Sequence, residues 1–259
     1  MVTLVSPGWV QELLDSDTHL LLDPRGRMKY LRGHLHGAVN LPATRLLDES
    51  GRLRSPQQLA DLLSVVGLGP DRTPVLYDSF DGQFGALMAW TLEYLGRQDV
   101  HLMDTFFEGW VAGRRDQFYR PVAPVPAPFV AAVDASIRAT LDQVQSASTG
   151  ALLDVRTADE FAGRSEADQR PGHIPGASHL MWRDFLGEEH HYLASPDAIQ
   201  DRLRAVGIPG GGPVVSYCRV GMRAALGYLA LRHAGYSARL YDGSYAEWSN
   251  AGLPVETGP

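Results

Sequence analysis

Five motifs from the first half of this 259-residue chain return in the second half in the same order, and that duplication constrains the fold more than any other feature. L-L-L-D-P-R at 20–25 returns as A-L-L-D-V-R at 151–156, and G-H-L-H-G-A-V-N at 33–40 as G-H-I-P-G-A-S-H at 172–179. S-P-Q-Q-L at 55–59 becomes S-P-D-A-I at 195–199, and P-V-L-Y-D at 74–78 becomes V-V-S-Y-C at 214–218. Finally, V-H-L-M-D-T-F-F-E-G-W at 100–110 answers A-R-L-Y-D-G-S-Y-A-E-W at 238–248. Spacing holds apart from small insertions, chiefly around 163–170. Short apolar runs alternate with helical signals, the mark of a mainly parallel sheet with helices on both faces, so each half is predicted to be an α/β domain.

Composition changes once. P-V-A-P-V-P-A-P at 121–128 carries four prolines in eight residues, an extended connector with little capacity for helix or ladder. The expected organisation is a first domain over 1–120, a proline-rich linker over 121–132 and a second domain over 133–259.

The two copies differ in one decisive place. Tyr77-Asp78 falls on Tyr217-Cys218, and Cys218 is the chain's single cysteine. A short apolar run (Val214, Val215, Tyr217) suited to a buried strand precedes it, and an Ala- and Leu-rich run from Met222 to Leu231 suited to a helix follows. The thiol therefore sits between a strand end and a helix N-terminus, where unpaired N–H groups form an anion nest. Arg219 and Arg223 add permanent cations, and Gly221 gives the loop freedom to curl around a ligand. All of this favours the thiolate and identifies Cys218 as a nucleophile rather than a small core hydrophobe. The first copy, with Asp78 in that position, cannot run thiolate chemistry.

One cysteine excludes an intrachain disulfide and fits a reducing compartment. The N-terminus lacks the pattern of a signal peptide and no apolar run is long enough to span a bilayer, so a cytoplasmic location is expected. A net charge of −7 argues against generic binding of nucleic acid or anionic membrane. Of the 23 basic residues only Lys29 is a lysine, which by itself carries no functional reading.

D-V-R at 154–156, R-P-G-H-I-P-G-A at 170–177, C-R-V-G-M-R at 218–223 and Y-D-G-S-Y-A-E-W at 241–248 together resemble the tandem-domain rhodanese family of thiosulfate and 3-mercaptopyruvate sulfurtransferases. The resemblance covers nearly the whole chain. It implies an inactive first rhodanese-like domain and a catalytic second one, with Cys218 cycling between thiolate and persulfide. The loop begins Cys-Arg, as in thiosulfate-type members, whereas mercaptopyruvate-type members more often read Cys-Gly-Ser-Gly or Cys-Gly-Ala-Gly. Val220 and Met222-Arg223 depart from the vertebrate thiosulfate pattern, which has lysine after the first arginine. The expected partners are a small sulfur donor, thiosulfate or 3-mercaptopyruvate, and a thiol, protein thiol or cyanide acceptor; no metal or organic cofactor is required.

Residues 219–223 (Arg219, Val220, Gly221, Met222, Arg223) and Arg170 are the expected donor-binding groups, though Arg223 has an alternative role in tying down a carboxylate. Asp154, Arg156, Asp242, Ser244, Trp248 and Phe84 are expected as supporting residues; Asp154 and Arg156 suit a structural ion pair, and Phe84 suits either a pocket wall or the core. His173 lies in a turn motif and suits structure better than catalysis, while His190-His191 lacks the partner spacing of a metal site. Two rival readings stay open. A cysteine phosphatase of this architecture would separate Cys and Arg by five residues, where four separate Cys218 from Arg223. A persulfide relay module would take its sulfur from a protein partner.

Overall fold

The computed structural model describes residues 1–146, 150–165 and 170–258, so 166–169 of the insertion noted at 163–170 lie outside the described residues. The chain forms two compact units. The first comprises Met1–Asp134 with Gly187–Tyr192, the second Ala135–Leu186 with Leu193–Pro259.

In the first unit the elements run β1 (Thr3–Val5), α1 (Pro7–Glu12), β2 (His19–Asp23), α2 (Arg27–Leu31), β3 (Val39–Asn40), α3 (Pro56–Val65), β4 (Thr73–Leu76), α4 (Gln83–Tyr94), β5 (His101–Met103) and α5 (Phe107–Ala112). The second has α6 (Leu141–Gln145), β6 (Ala151–Asp154), α7 (Ala158–Phe161), β7 (Ser178–His179), α8 (Pro196–Ala205), β8 (Pro213–Tyr217), α9 (Met222–His233), β9 (Ser237–Leu240) and α10 (Ser244–Asn250). Sheet order is β1-β5-β4-β2-β3 in the first unit and β7-β6-β8-β9 in the second, with parallel neighbours throughout.

The Ser-Pro signals work as their chemistry requires. Ser6, Ser55 and Ser195 each accept a backbone N–H from the first turn of α1, α3 and α8, with proline supplying the first helical residue. One strand had no sequence signal: β1 pairs with β5 at the sheet edge. Its counterpart in the second unit shrinks to a single bridge, Arg138 to Leu240. Residues 3–5 are Thr-Leu-Val, whereas Arg138 interrupts the corresponding run.

Strand alternation divides the core. Leu21, Val75 and Met103 face Val10 of α1 and Phe107 and Trp110 of α5, and in the second unit Val215 and Tyr217 face Val144 of α6 and Tyr245 and Trp248 of α10. Leu22, Leu76 and Leu102 alternate to the opposite face and are also fully buried. Ten of the twelve residues of α4 and eight of the twelve of α9 are buried, in runs that go all the way round the helix, so neither carries an amphipathic stripe. Among the described residues no helix is long and apolar enough to cross a membrane.

The proline-rich segment is extended, and its backbone is pinned to the first unit. Val122 N–H donates to the Tyr30 hydroxyl at 2.9 Å, Ala127 N–H to the Ser64 carbonyl at 3.0 Å and Ala132 N–H to the Leu95 carbonyl at 2.9 Å.

A matching buried frame holds each unit at the strand ends. The Arg156 guanidinium forks onto Asp154, with Nη2 at 2.6 Å from Oδ2 and Nε at 3.0 Å from Oδ1, and it also donates to the Gly172 carbonyl at 2.7 Å. Arg25 repeats this on Asp23 at 2.6 Å and on the Gly33 carbonyl at 2.8 Å. The Tyr77 hydroxyl donates to Asp23 at 2.6 Å and accepts the Leu35 N–H, while Tyr217 accepts the N–H of Ile174 at 3.2 Å beside Asp154. Asp154 and Arg156 thus form a structural ion pair tying strand β6 to the turn before His173. That histidine stacks on Phe161 at 3.7 Å and bonds the Phe161 carbonyl through Nδ1 at 2.8 Å, which makes it structural too.

Breaking a buried pair leaves one charge uncompensated, at a cost of about 3–5 kcal/mol, whereas an exposed pair contributes about 1 kcal/mol or less. Asp154→Ala should therefore lower the urea midpoint of the second unit severely, while Asp159→Ala, which removes the exposed pair with Arg164, should shift it little. Equal shifts in tryptophan-monitored unfolding would contradict this assignment.

Candidate active site

Cys218 lies one residue beyond β8, an interior strand of its sheet, and is 1% exposed. Such loops at the carboxyl ends of parallel strands are where open α/β sheets place their ligands. The floor of the loop is α10. Tyr245 N–H donates to the Cys218 carbonyl at 2.9 Å and Ala246 N–H to the Arg219 carbonyl at 3.0 Å. Cys218 N–H donates to Ser244 Oγ at 3.2 Å, and that hydroxyl donates in turn to the Tyr241 carbonyl at 2.8 Å. With those carbonyls committed, the loop turns the Gly221 N–H onto Sγ at 3.2 Å.

Gly221 is where the curl requires glycine. Its φ is +88°, and a Cβ there would stand 2.9 Å from the Asp242 carbonyl oxygen and 3.2 Å from the Asp242 Cα. Asp242 is held in place by Arg138, at 2.7 Å from Nε and 2.8 Å from Nη2.

Arg223 is the second residue of α9, the helix that follows the Cys218 loop, and is near enough to feel the charge of the sulfur. It also makes a two-pronged bond to Glu160, at 2.7 Å from Nη1 to Oε2 and 2.8 Å from Nη2 to Oε1. Burial works against the Arg223 charge, yet the Glu160 hydrogen bond and the nearby Cys218 sulfur outweigh it and raise its pKa. Burial likewise works against the Glu160 carboxylate, but the Arg223 bond and the Thr157 N–H lower it to about 2.

Of the expected residues, the structure gathers Cys218, Gly221, Arg223, Asp242 and Ser244 around one loop. Arg219 is exposed on its rim, and Val220 and Met222 are half-buried. Arg170 directs its guanidinium to the Ser249 carbonyl at 3.3 Å, and its own carbonyl accepts the Tyr245 hydroxyl at 2.6 Å. Trp248 is a core residue whose Nε1 donates to the Pro254 carbonyl at 2.7 Å. Phe84 is a half-buried residue at the start of α4 in the first unit. His191 pairs with Asp104 at 3.1 Å, and no group of three metal-capable side chains occurs among the described residues. Sequence reasoning missed Glu160 and Arg138. The T-A-D-E run at 157–160 does signal a capping box, which forms, but nothing local names Arg223 as its partner.

The first unit's loop has filled itself. Asp78 places Oδ1 on the Ser79 N–H and Oδ2 on the Gly85 N–H, both at 2.7 Å, so a side-chain carboxyl occupies the donors of its nest. Tyr192, completely buried, donates its hydroxyl to the Gly82 carbonyl and packs 5.1 Å from the Phe106 ring. Burial raises the Asp78 pKa to about 7, only partly offset by those two N–H groups.

Comparison with known proteins decides the ancestry of this arrangement. The Rhodanese-like domain family matches residues 6–113 and again 137–251. The chain belongs to the rhodanese family. It is 32% identical to a thiosulfate sulfurtransferase of Corynebacterium glutamicum over 98% of this chain and 90% of that protein. It is 33% identical to a Haloferax volcanii protein provisionally named a thiosulfate sulfurtransferase, over 98% and 96% of the two chains. Among solved structures, an anaerobic ergothioneine biosynthesis enzyme from Chlorobium limicola superposes with a TM-score of 0.89 at 22% identity, covering 99% of this rhodanese and 70% of that enzyme. At that identity the likeness is one of fold.

Two outcomes follow. A left-handed backbone costs an L-residue about 1–2 kcal/mol before any clash is counted, so Gly221→Ala should open the Cys218 loop. The rate of alkylation by anionic iodoacetate relative to neutral iodoacetamide should fall, and an unchanged ratio would show the loop to be tolerant. For Asp78, folding raises the acid's pKa from 3.8 to about 7, so its stabilisation is fully present below 3.8 and is lost as pH rises through 7. At about 1.4 kcal/mol per tenfold in proton affinity, the loss is roughly 4 kcal/mol. Denaturation midpoints from pH 4 to 8 should slope downward in the parent more steeply than in Asp78→Asn; parallel profiles would exclude Asp78 as the source.

Proposed function

We propose that this rhodanese is a thiosulfate sulfurtransferase that works through a persulfide on Cys218. The observation that carries the reading is the Gly221 N–H turned onto a buried sulfur just before a helix N-terminus, with the Arg223 cation in the first turn of that helix. That is the environment in which a thiolate is stabilised and an anionic sulfur donor is bound. The names of the curated relatives support thiosulfate as the donor.

The Cys218 thiolate attacks the outer sulfur of thiosulfate. A bond forms between Sγ and that sulfur, the sulfur–sulfur bond of thiosulfate breaks, and its electron pair leaves on sulfite. A thiophilic acceptor then attacks the terminal sulfur of the persulfide and returns the electron pair of the Sγ–S bond to Cys218. Cyanide leaves as thiocyanate, and a thiol leaves as a persulfide. Splitting the transfer in this way is covalent catalysis and gives ping-pong kinetics. Loop N–H groups stabilise the sulfur anion without reorganising, as an oxyanion hole does for oxygen. Arg219, on the rim, is the cation assigned to the sulfonate end. The loop holds four residues between Cys218 and Arg223, which favours sulfur over phosphoryl transfer.

Intact mass tests this. Incubation with thiosulfate should add one sulfur atom, removable by cyanide and absent from Cys218→Ser. A gain with 3-mercaptopyruvate alone would move the donor, and no gain with either would overturn the small-donor enzyme. Hydrolysis of an aryl phosphate without any persulfide would favour the phosphatase.

A further inference from the structure

The duplication supplies an internal comparison for every residue of the site. The frame is kept in both copies: Arg25 pairs with Asp23 as Arg156 does with Asp154, and the Tyr77 and Tyr217 hydroxyls accept the N–H of Leu35 and Ile174. The residues around the thiol behave differently. Counting from the paired frame residues, Glu160 corresponds to Lys29 and Cys218 to Asp78; counting from the glycine N-caps of α4 and α9, Arg223 corresponds to Phe84. Glutamate, arginine and thiol are therefore present together in one unit and absent together from the other. Lys29 also has a different partner, donating to Ser79 Oγ at 2.9 Å, and α2 has no side-chain cap.

We infer that Glu160 is a positioning residue for sulfur transfer, holding the Arg223 guanidinium against the Cys218 sulfur. Arginine carries a long, mobile stem, and a single cation beside a thiolate has no fixed direction of approach. The two parallel bonds from Glu160, at 2.7 and 2.8 Å, remove that freedom and set the plane of the guanidinium. The pair is only 19% and 10% exposed, so solvent screens it weakly. Glu160 is fixed in turn by its cap: Oε2 accepts the Thr157 N–H at 3.0 Å and the Thr157 Oγ1 at 2.9 Å. One carboxylate thus joins the first turn of α7 to the first turn of α9. Its effect on turnover rests on the sulfurtransferase reading; its effect on the thiol does not.

A simple structural role, capping α7, is the competing account, and Glu160→Gln separates the two. A glutamine can keep its oxygen on Thr157, but its NH2 group then faces the Arg223 Nη2 and the fork cannot form. The measurement is the pH dependence of Cys218 alkylation by iodoacetamide, read cleanly because the chain has one cysteine. It is made for the parent, Glu160→Gln, Arg223→Ala and the double variant, alongside thermal midpoints and thiosulfate kinetics.

In Glu160→Gln the alkylation midpoint should move to higher pH, and kcat/KM should fall about tenfold, mostly in kcat, the scale of a coupled network pair. In the Arg223→Ala background the same substitution, which then removes only a carboxylate charge, should neither raise the midpoint nor lower kcat/KM further. A Glu160→Gln protein with the parent's alkylation profile, or one whose defect is equally large without Arg223, would overturn the inference. Alkylation needs no sulfur donor, so a protein inert to thiosulfate that still shows the coupling would overturn the sulfurtransferase reading and support the positioning role.

Discussion

A charge buried inside a parallel sheet has to be answered by other groups in the protein, because no water is there to answer it. In this chain the answer is given twice, by an arginine two residues after an aspartate and a tyrosine at the end of the neighbouring strand. The rest of each unit is arranged around that cluster. Arginine reaches the carbonyl of the glycine that opens the histidine turn, and the tyrosine hydroxyl receives the N–H that follows it. Strand β6, strand β8 and the turn at 172–174 are thereby fixed together, and the residue after Tyr217 is the thiol. The position of Cys218 is inherited from that frame.

The first unit keeps that frame without the thiol. Its loop still follows the middle strand of the sheet and still has a glycine N-cap with positive φ before α4. The donors are spent on Asp78, and the space above is taken by Tyr192. A nest whose N–H donors are spent on its own carboxyl group is satisfied from within.

Most of this was legible in the sequence because it rests on local chemistry. Ser-Pro caps, the repeat register and the Asp-for-Cys exchange are read directly from neighbouring residues, and they locate helix starts, the duplication and the copy that carries the thiol. Three features were not legible. Strand β1 is three residues long and acquires meaning only from its pairing with β5. Arg138 meets Asp242 across 104 residues of sequence, and Glu160 meets Arg223 across 63, so no spacing rule brings either pair together. Arg170 and Trp248, named from motifs near the site, bond the backbone carbonyls of Ser249 and Pro254.

The excursion at 187–192 has a consequence for how the protein is made. Those six residues belong to the first unit, where His190 and Tyr192 supply backbone and side-chain contacts to Phe106 and Gly82. A ribosome delivers residues in order, and domains generally fold as they emerge. Here the earlier unit cannot be finished until more than fifty residues of the later one have been synthesised. Until then Asp78 lacks the tyrosine that closes over it, so a nascent chain stopped at the proline segment would emerge with this place in its interior still open to water.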